Sequence, residues 1–274
     1  MKSLFLLLTI IITADYNFVY SLATNAVIVS EVKFDGVPDY KQRDKDYGGF
    51  EDGGRDFCGP TSASDLLTWL SKNGYSNLAV QTGDLKFNQY GLIKEIAGPD
   101  FMKVTSKGVS PNSFCRGISN FVAAKGYNIS SLKFEGFRTV NPSYFDGYFP
   151  RIDSIKNALD NGACVWLEVG WYNYIPDSMF YKRSKTGHWL PAVGYQLYND
   201  GSFFIIVHDS DAARGPADRH VSLSLIEGGT LLSDSKLSGL PRQAAGYYKL
   251  GDEMHIDKKF DAAVLDGILI LRMK

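Results

Sequence analysis

The chain has 274 residues, of which 45% are hydrophobic and 22% are charged. These values are ordinary for a globular protein, and the length suits one large domain or two small ones. With 29 basic and 30 acidic residues the formal charge is -1, which excludes a protein drawn to nucleic acid or to an anionic membrane by its net charge.

The N-terminus has the three parts of a secretory signal peptide. Lys2 precedes an apolar run over residues 4–12, and small residues follow at 21–23. That run is too short to span a bilayer comfortably. A positive start, a short apolar segment and a small-residue cleavage site predict a signal peptide at residues 1–23.

Cleavage after Ala23 is the preferred site, with Ala26 as the second choice. The alternative is an N-terminal membrane anchor, but Asp15 and Asn17 interrupt the hydrophobic stretch, which argues against a spanning helix. The mature protein, from residue 24 onward, is therefore predicted to be soluble and extracytoplasmic, either secreted or periplasmic.

The first predicted helix begins at a cysteine. In the stretch "CGPTSASDLLTWLSKNG", Cys58 precedes a Gly-Pro turn, and Ser62 with Asp65 has the spacing of a capping box. Asn73 followed by glycine is a C-terminal stop signal. The residues that recur at helical spacing form one apolar face: Ala63, Leu66, Leu67 and Leu70. We therefore expect a helix that starts at or just after Cys58 and ends near Asn73.

The start of a helix favours a reactive thiol. Its unpaired N–H groups and its dipole stabilise negative charge, and the thiolate is the nucleophilic form of cysteine. The alternative for Cys58 is a small buried side chain that fills a turn. Cys115 and Cys164 are either core residues or partners in a disulfide, and the spacing of the three cysteines has no zinc pattern.

The rest of the chain predicts helices first and strands later. A strand near the mature N-terminus precedes an irregular segment, and residues 44–56 form a Gly- and charge-rich exposed loop. Between residues 75 and 109 only short helical turns and loops are expected. The remaining predicted elements are a helix at 110–125, a strand at 128–137, a helix at 153–161, a strand at 163–172, two strands within 187–211 and a strand at 262–273. This order indicates an α+β fold with helices packed on an antiparallel sheet.

Two residues of the predicted hairpin complement Cys58. His188 lies at the start of one strand and Asp209 at the end of the next, on either side of an Asn-Asp-Gly turn. Antiparallel pairing brings these ends side by side, so a nucleophile, a base and an orienting carboxylate form a Cys-His-Asp set. The alternatives are a half-exposed strand histidine and an ordinary turn carboxylate, because the chain has 4 histidines.

Three blocks of the sequence resemble the papain-like cysteine peptidases, closest to their C39-like branch. "FCGPTSASDLLTWL" has the Cys-Gly-Pro turn that opens the nucleophile helix, "GHWLPAVGYQ" carries the base, and "FFIIVHDSD" contains the carboxylate of Asp209 at the end of its strand. The resemblance spans residues 37–211 and implies a papain-like, C39-like peptidase domain over residues 24–274. It implies Cys58 as the nucleophile, His188 as the base and then the acid, and Asp209 as the residue that orients the imidazole.

The same family commonly has a "VPxxxQ" segment ahead of the cysteine, with the glutamine amide in the oxyanion hole. Here "VPDYKQ" ends at Gln42, so the resemblance implies Gln42 and the Cys58 backbone N–H as the oxyanion donors. The alternative for Gln42 is a surface side chain on a flexible loop. Two features depart from the family. Gln42 lies 16 residues before Cys58, farther than is usual, and Pro191 in the histidine strand predicts a bulge or an edge.

The resemblance implies a secreted cysteine peptidase that cleaves amide bonds of a peptide or protein through a thioester at Cys58. We expect a monomer that needs no metal or organic cofactor and has no nucleic-acid or membrane partner after signal cleavage. Two alternatives stay open. In a transglutaminase- or acyltransferase-like enzyme, an amine rather than water takes the thioester from the same triad. In the other, the papain-like domain has no catalytic activity and acts as a binding module.

Overall fold

The computed structural model of the chain describes residues 26–211, 215–232 and 241–274. The predicted signal peptide at residues 1–23 lies outside these ranges. Within them, no helix combines the length and the hydrophobicity needed to cross a membrane. The fold is α+β, as the order of predicted elements indicates.

Four α-helices lie in the described ranges, and three of them match predicted helices. The helix that was not predicted lies between residues 75 and 109, where only short turns and loops were expected, so that part of the prediction is wrong. The four are α1 (Cys58–Lys72), α2 (Leu85–Ala97), α3 (Pro111–Ala124) and α4 (Ile152–Asp160).

Helix α2 was not predicted because its sequence has no clean apolar face. Gly91 lies in its middle, and the large side chains of Leu85 and Phe87 are exposed. Glycine in a helix interior is destabilising, so a local pattern of this kind favours a loop. The helix is instead stabilised by contact with α1, where Gln89 Nε2 donates to Asp65 Oδ1 at 2.6 Å.

Helix α1 begins at Cys58 and its C-cap is Asn73, both as predicted. The predicted capping box is wrong. The helix begins four residues before Ser62, and the Ser62 hydroxyl donates to Gly59 O at 2.9 Å inside the first turn. No side chain caps the start. Pro60 fits there because the first four N–H groups of a helix have no intrahelical partner, so proline removes nothing.

Helix α1 is buried on nearly every side. Of its residues, only Trp69 and Lys72 are not buried, so the single apolar face predicted from spacing is too narrow. Trp166 of the sheet donates its indole N–H to Ser62 O at 2.9 Å. A helix enclosed in this way holds its first residue, Cys58, in a fixed position.

One large sheet contains all the strands of the described residues. Its order is β3-β2-β11-β10-β7-β6-β5-β8-β9, with β1 paired to β5 and β4 paired to both β11 and β5. The strands are β1 (Ile28–Lys33), β2 (Ile129–Gly136), β3 (Phe145–Gly147), β4 (Cys164–Ile175), β5 (Phe180–Tyr198), β6 (Phe203–Val207), β7 (Arg219–Leu225), β8 (Thr230–Leu232), β9 (Arg242–Gln243), β10 (Tyr248–Leu250) and β11 (Ala262–Met273).

The sheet is mixed, whereas an antiparallel sheet was predicted. The pairs β2–β3 and β5–β8 are parallel, and the other pairs are antiparallel. Both parallel partners are short strands of three residues at the periphery. They have no strong period in the sequence, so their direction could not be predicted.

The predicted hairpin is present as β5 and β6, with register from Ala192↔Val207 to Leu197↔Phe203. Strand β5 has 19 residues and begins at Phe180, so His188 lies within the strand and not at its start. The register shifts between Ala192 and Gly194, directly after Pro191, where a bulge or an edge was predicted.

The part of the chain that follows Asp211 completes the sheet. Strand β11 pairs with β2, β4 and β10, so residues at the C-terminal end contribute to the centre of the fold. Cys115 on α3 and Cys164 on β4 are buried core residues, and all three cysteines have free thiols.

Candidate active site

The Cys58 thiol lies at the first residue of α1 and is 7% exposed. The chain around Val109 approaches it closely. A Cβ added to Gly59 would lie 3.0 Å from Val109 Cβ and Cγ2, which is tighter than ordinary van der Waals contact. A larger residue after Cys58 would therefore have to displace Val109 by a few tenths of an ångström. The short predicted motif Cys-Gly-Pro thus has a steric reason in the fold.

His188 lies between Cys58 and Asp209. Its ring Nε2 is 2.8 Å from Asp209 Oδ1, and the ring lies near enough to Cys58 for the thiol to raise its pKa. Because Nε2 contacts Asp209, Nδ1 is the nitrogen left for the thiol. The carboxylate accepts a hydrogen bond from the Nε2–H group and so orients the ring. The structure thus brings His188 and Asp209 into direct contact and places Cys58 near the same ring.

Burial and charge oppose each other at this histidine. Burial lowers the pKa of His188, but the charge of Asp209, the hydrogen bond to Asp209 and the contact with Cys58 raise it, and the net pKa is well above the ordinary value of 6.5. Burial raises the pKa of Asp209, yet His188 and the Asp211 N–H bring it below the ordinary value. Each partner therefore favours the charged form of the other, the protonated imidazole of His188 and the ionised carboxylate of Asp209.

Asp209 is placed by the end of β6 and by the turn that follows it. Its Oδ1 accepts from the backbone N–H of Asp211 at 3.0 Å, in addition to its contact with His188. The side chain is 3% exposed. Two donors on one oxygen leave the carboxylate with a single orientation toward the ring.

Gln42 is buried at 1% exposure beside the chain that leads into Cys58. Its amide Nε2 donates to Gly54 O at 3.0 Å and to Arg55 O at 3.1 Å. Its Oε1 accepts from the Ser210 hydroxyl at 2.9 Å. Gln42 is therefore not the loose surface side chain of the alternative interpretation. Its two N–H groups already have acceptors, so an oxyanion role requires that one of these bonds be exchanged, and that role stays a prediction.

Four neighbours of the site were not selected from the sequence. Trp171 lies in the strand predicted at 163–172. In the structure it stacks on the His188 imidazole, with ring centroids 6.2 Å apart. Ser210 contacts Gln42, and Arg43 pairs with Asp211. Ser210 and Asp211 could have been selected from the sequence because they directly follow Asp209, whereas no local pattern pointed to Trp171.

The described chain also has a cavity of about 510 Å³ away from this site. It is bordered by Tyr40, Thr68 and Gln89, and none of Gln42, Cys58, His188 and Asp209 lines it. The chemistry available at Cys58 therefore does not depend on this cavity.

The chain matches no known protein-family model, and no curated protein is detectably similar to it in sequence. The geometry around Cys58 and the motifs in the sequence therefore carry the functional interpretation.

Proposed function

We propose that this protein is a secreted papain-like cysteine peptidase, of the C39-like kind, that hydrolyses peptide bonds through a thioester at Cys58. The observation that supports it most is the contact of His188 Nε2 with Asp209 Oδ1 at 2.8 Å, with Cys58, the first residue of α1, near the same ring. A nucleophile, a base and an orienting carboxylate in that order are the requirement for covalent catalysis of acyl transfer.

The proposed reaction has two steps. The Cys58 sulfur attacks the substrate carbonyl carbon, and the His188 imidazolium gives its proton to the leaving amine as the C–N bond breaks. A water molecule then attacks the thioester carbon while His188 takes its proton, and the C–S bond breaks to release the carboxylic acid and the thiolate. Asp209 keeps the ring in one tautomer throughout and stays ionised.

The negative charge that forms on the carbonyl oxygen needs preorganised donors. The backbone N–H of Cys58 belongs to the first turn of α1, where N–H groups have no intrahelical acceptor. Gln42 would supply the second donor after it gives up its bond to Gly54 O or Arg55 O. The helix dipole of α1 adds a partial positive charge at the same end.

The test is the pH dependence of Cys58 alkylation by iodoacetamide between pH 5 and 8, followed by mass spectrometry of the modified peptide. The wild-type thiol should react well at pH 5 to 6, and His188→Ala should move most of that reactivity to higher pH because the imidazolium no longer stabilises the thiolate. Cys115 and Cys164 are internal controls, since both are fully buried. Reactivity at Cys58 that is indifferent to His188→Ala would contradict the proposal and favour a binding module.

Hydrolysis and acyl transfer are separated by a second measurement. Fluorescein-labelled casein is incubated with the wild type and with Cys58→Ser, with and without a labelled primary amine. New N-termini that depend on Cys58 support a peptidase. Incorporation of the amine without hydrolysis products would instead identify an acyltransferase that uses the same triad.

A further inference from the structure

Two short segments, far apart in the chain, are joined beside Cys58. Gln42 N donates to Ser210 O at 3.0 Å, and the Ser210 hydroxyl donates to Gln42 Oε1 at 2.9 Å. One residue further along each segment, the Arg43 guanidinium binds the Asp211 carboxylate through two nitrogens, with Nη2–Oδ2 at 3.0 Å. We call the Arg43–Asp211 pair the ionic clamp.

The ionic clamp acts on the site through one backbone group. The Asp211 N–H donates to Asp209 Oδ1, the same oxygen that contacts His188. A guanidinium held to a carboxylate by two parallel contacts has a defined orientation. Arg43 binds the Asp211 side chain and thereby keeps the Asp211 N–H against Asp209. Arg43 also directly follows Gln42, so it connects this turn to the predicted oxyanion donor.

The clamp is too exposed to serve mainly as a stabilising contact. The Arg43 and Asp211 side chains are 51% and 25% exposed, and exposed ion pairs contribute little to folding. Its charges are nevertheless near the triad, because the Asp211 N–H donates to the Asp209 carboxylate. The pair contributes little to the fold, yet Arg43 directly follows Gln42 and the Asp211 N–H donates to Asp209. Its main effect is therefore on the chemistry of the site.

We propose that Arg43 and Asp211 are positioning residues for the triad: Asp211 orients Asp209 through its backbone N–H, and Arg43 fixes Asp211 and adds positive charge beside the Cys58 thiolate. This inference rests on the proposed function. Besides His188 and the two residues of the clamp, the titratable groups of the described chain that interact with Asp209 are Asp39 and His255, and Asp56 interacts with Arg43.

Substitution of Arg43 and substitution of Asp211 should have opposite electrostatic effects on the alkylation of Cys58. Arg43→Gln removes a positive charge and leaves Asp211 unpaired, so the pH midpoint of Cys58 alkylation should rise by about 0.3 to 0.5 pH units. Asp211→Asn removes the negative charge and leaves Arg43, so the midpoint should fall by a similar amount. Both changes should shrink in 0.5 M salt, because exposed charges are screened.

The positioning effect has the same sign in both variants. On a peptide that the wild type cleaves, each single variant should lower kcat about 3- to 10-fold with KM nearly unchanged, because the triad is displaced and substrate contacts are not. The exchanged pair Arg43→Asp with Asp211→Arg should recover most of the lost kcat, since it restores the contact in reverse. A merely structural role would not produce opposite shifts of the alkylation midpoint.

The matched control is Lys125→Gln, which breaks an ion pair of similar exposure between α3 and α2, with Lys125 Nζ and Glu95 Oε1 at 2.9 Å. It should leave both kcat and the midpoint unchanged. If the wild-type midpoint responds to His188→Ala but the clamp variants behave like Lys125→Gln, the clamp inference is wrong and the proposed function stands. If His188→Ala has no effect on alkylation, the proposed function itself fails.

Discussion

Trp171 of β4 lies nearly parallel to the His188 imidazole of β5, with ring centroids 6.2 Å apart and an angle of 22° between the planes. The indole reaches this position because the β4–β5 register shifts between Gly170 and Tyr172. Trp171 and His188 are 7% and 6% exposed, so this pair of rings is largely shielded from water. A hydrogen bond shielded from water in this way is stronger than an exposed one.

The first prediction concerns this shielding. Trp171→Leu should let water reach the His188–Asp209 hydrogen bond, and turnover should fall about 10-fold. The Nε2–H proton of His188 should exchange faster with solvent, which broadens its low-field NMR signal. Trp171→Phe is the control, because a smaller aromatic ring keeps part of the cover. A sharp, unchanged signal in Trp171→Leu would show that the indole does not protect the bond.

The second prediction separates the charge of Asp209 from its shape. Asp209→Asn keeps an acceptor for His188 Nε2 but removes the negative charge, so the pKa of His188 should fall toward its ordinary value. Asp209→Ala removes both and should lower turnover about 100-fold. NMR titration of the His188 ring, assigned with His188→Gln, measures the pKa directly.

The same pair gives a stability prediction with a definite sign. The pKa of His188 is raised in the folded protein, so its stabilising contribution is fully present below the ordinary value of 6.5 and is lost as pH rises through the folded value. The difference in free energy of unfolding between wild type and Asp209→Asn should therefore be larger at pH 6 than at high pH. A difference that grows as pH rises would contradict the ion pair.

The third prediction concerns Gln42 and Ser210. Ser210→Ala leaves Gln42 Oε1 without its side-chain donor and should cost about 1 kcal/mol in the free energy of unfolding. Gln42→Ala removes the predicted oxyanion donor, so turnover should fall about 100-fold. Urea unfolding and turnover, measured on both variants, distinguish the two effects. Equal losses of turnover in the two variants would mean that Gln42 acts only through the packing of its segment.

The fourth prediction concerns Glu168, a buried carboxylate on β4. Burial raises its pKa from 4.5 to about 7, with Asp266 adding to the rise, while Arg138 and Arg183 oppose it. The folded protein thus holds this proton to a higher pH than the unfolded chain does. The stabilising contribution is complete below pH 4.5 and is lost as pH rises through about 7.

The side chain of the Glu168→Gln variant cannot ionise, so the variant should not lose this stability as pH rises through about 7. Relative to the variant, the wild type should lose on the order of 3 kcal/mol of unfolding free energy between pH 4.5 and pH 8. Urea unfolding across this range measures the difference, and Glu95→Gln on the surface is the control. Parallel curves for wild type and Glu168→Gln would mean that Glu168 is ionised throughout.

The helices differ in how far local sequence predicts their formation. Helix α3 was predicted from Pro111 in its first turn and from apolar residues at helical spacing, which are fully buried in the structure. Helix α2 was missed because Gly91 and two exposed large side chains break the pattern. Its partner on α1, Asp65, is 24 residues from Gln89, beyond the reach of a periodicity argument.

The amino-acid sequence by itself determined the α+β class and the helix that starts at Cys58, because spacing and turn residues act over a few positions, and its motifs selected His188 and Asp209 as candidates. Tertiary structure alone decided that Trp171 covers His188, that the Gln42 amide is already hydrogen-bonded and that Arg43 binds Asp211 across 168 residues. Those contacts depend on strand register and on bulges. A shift of one residue in register turns a side chain to the other face of a sheet, and no local pattern encodes that shift.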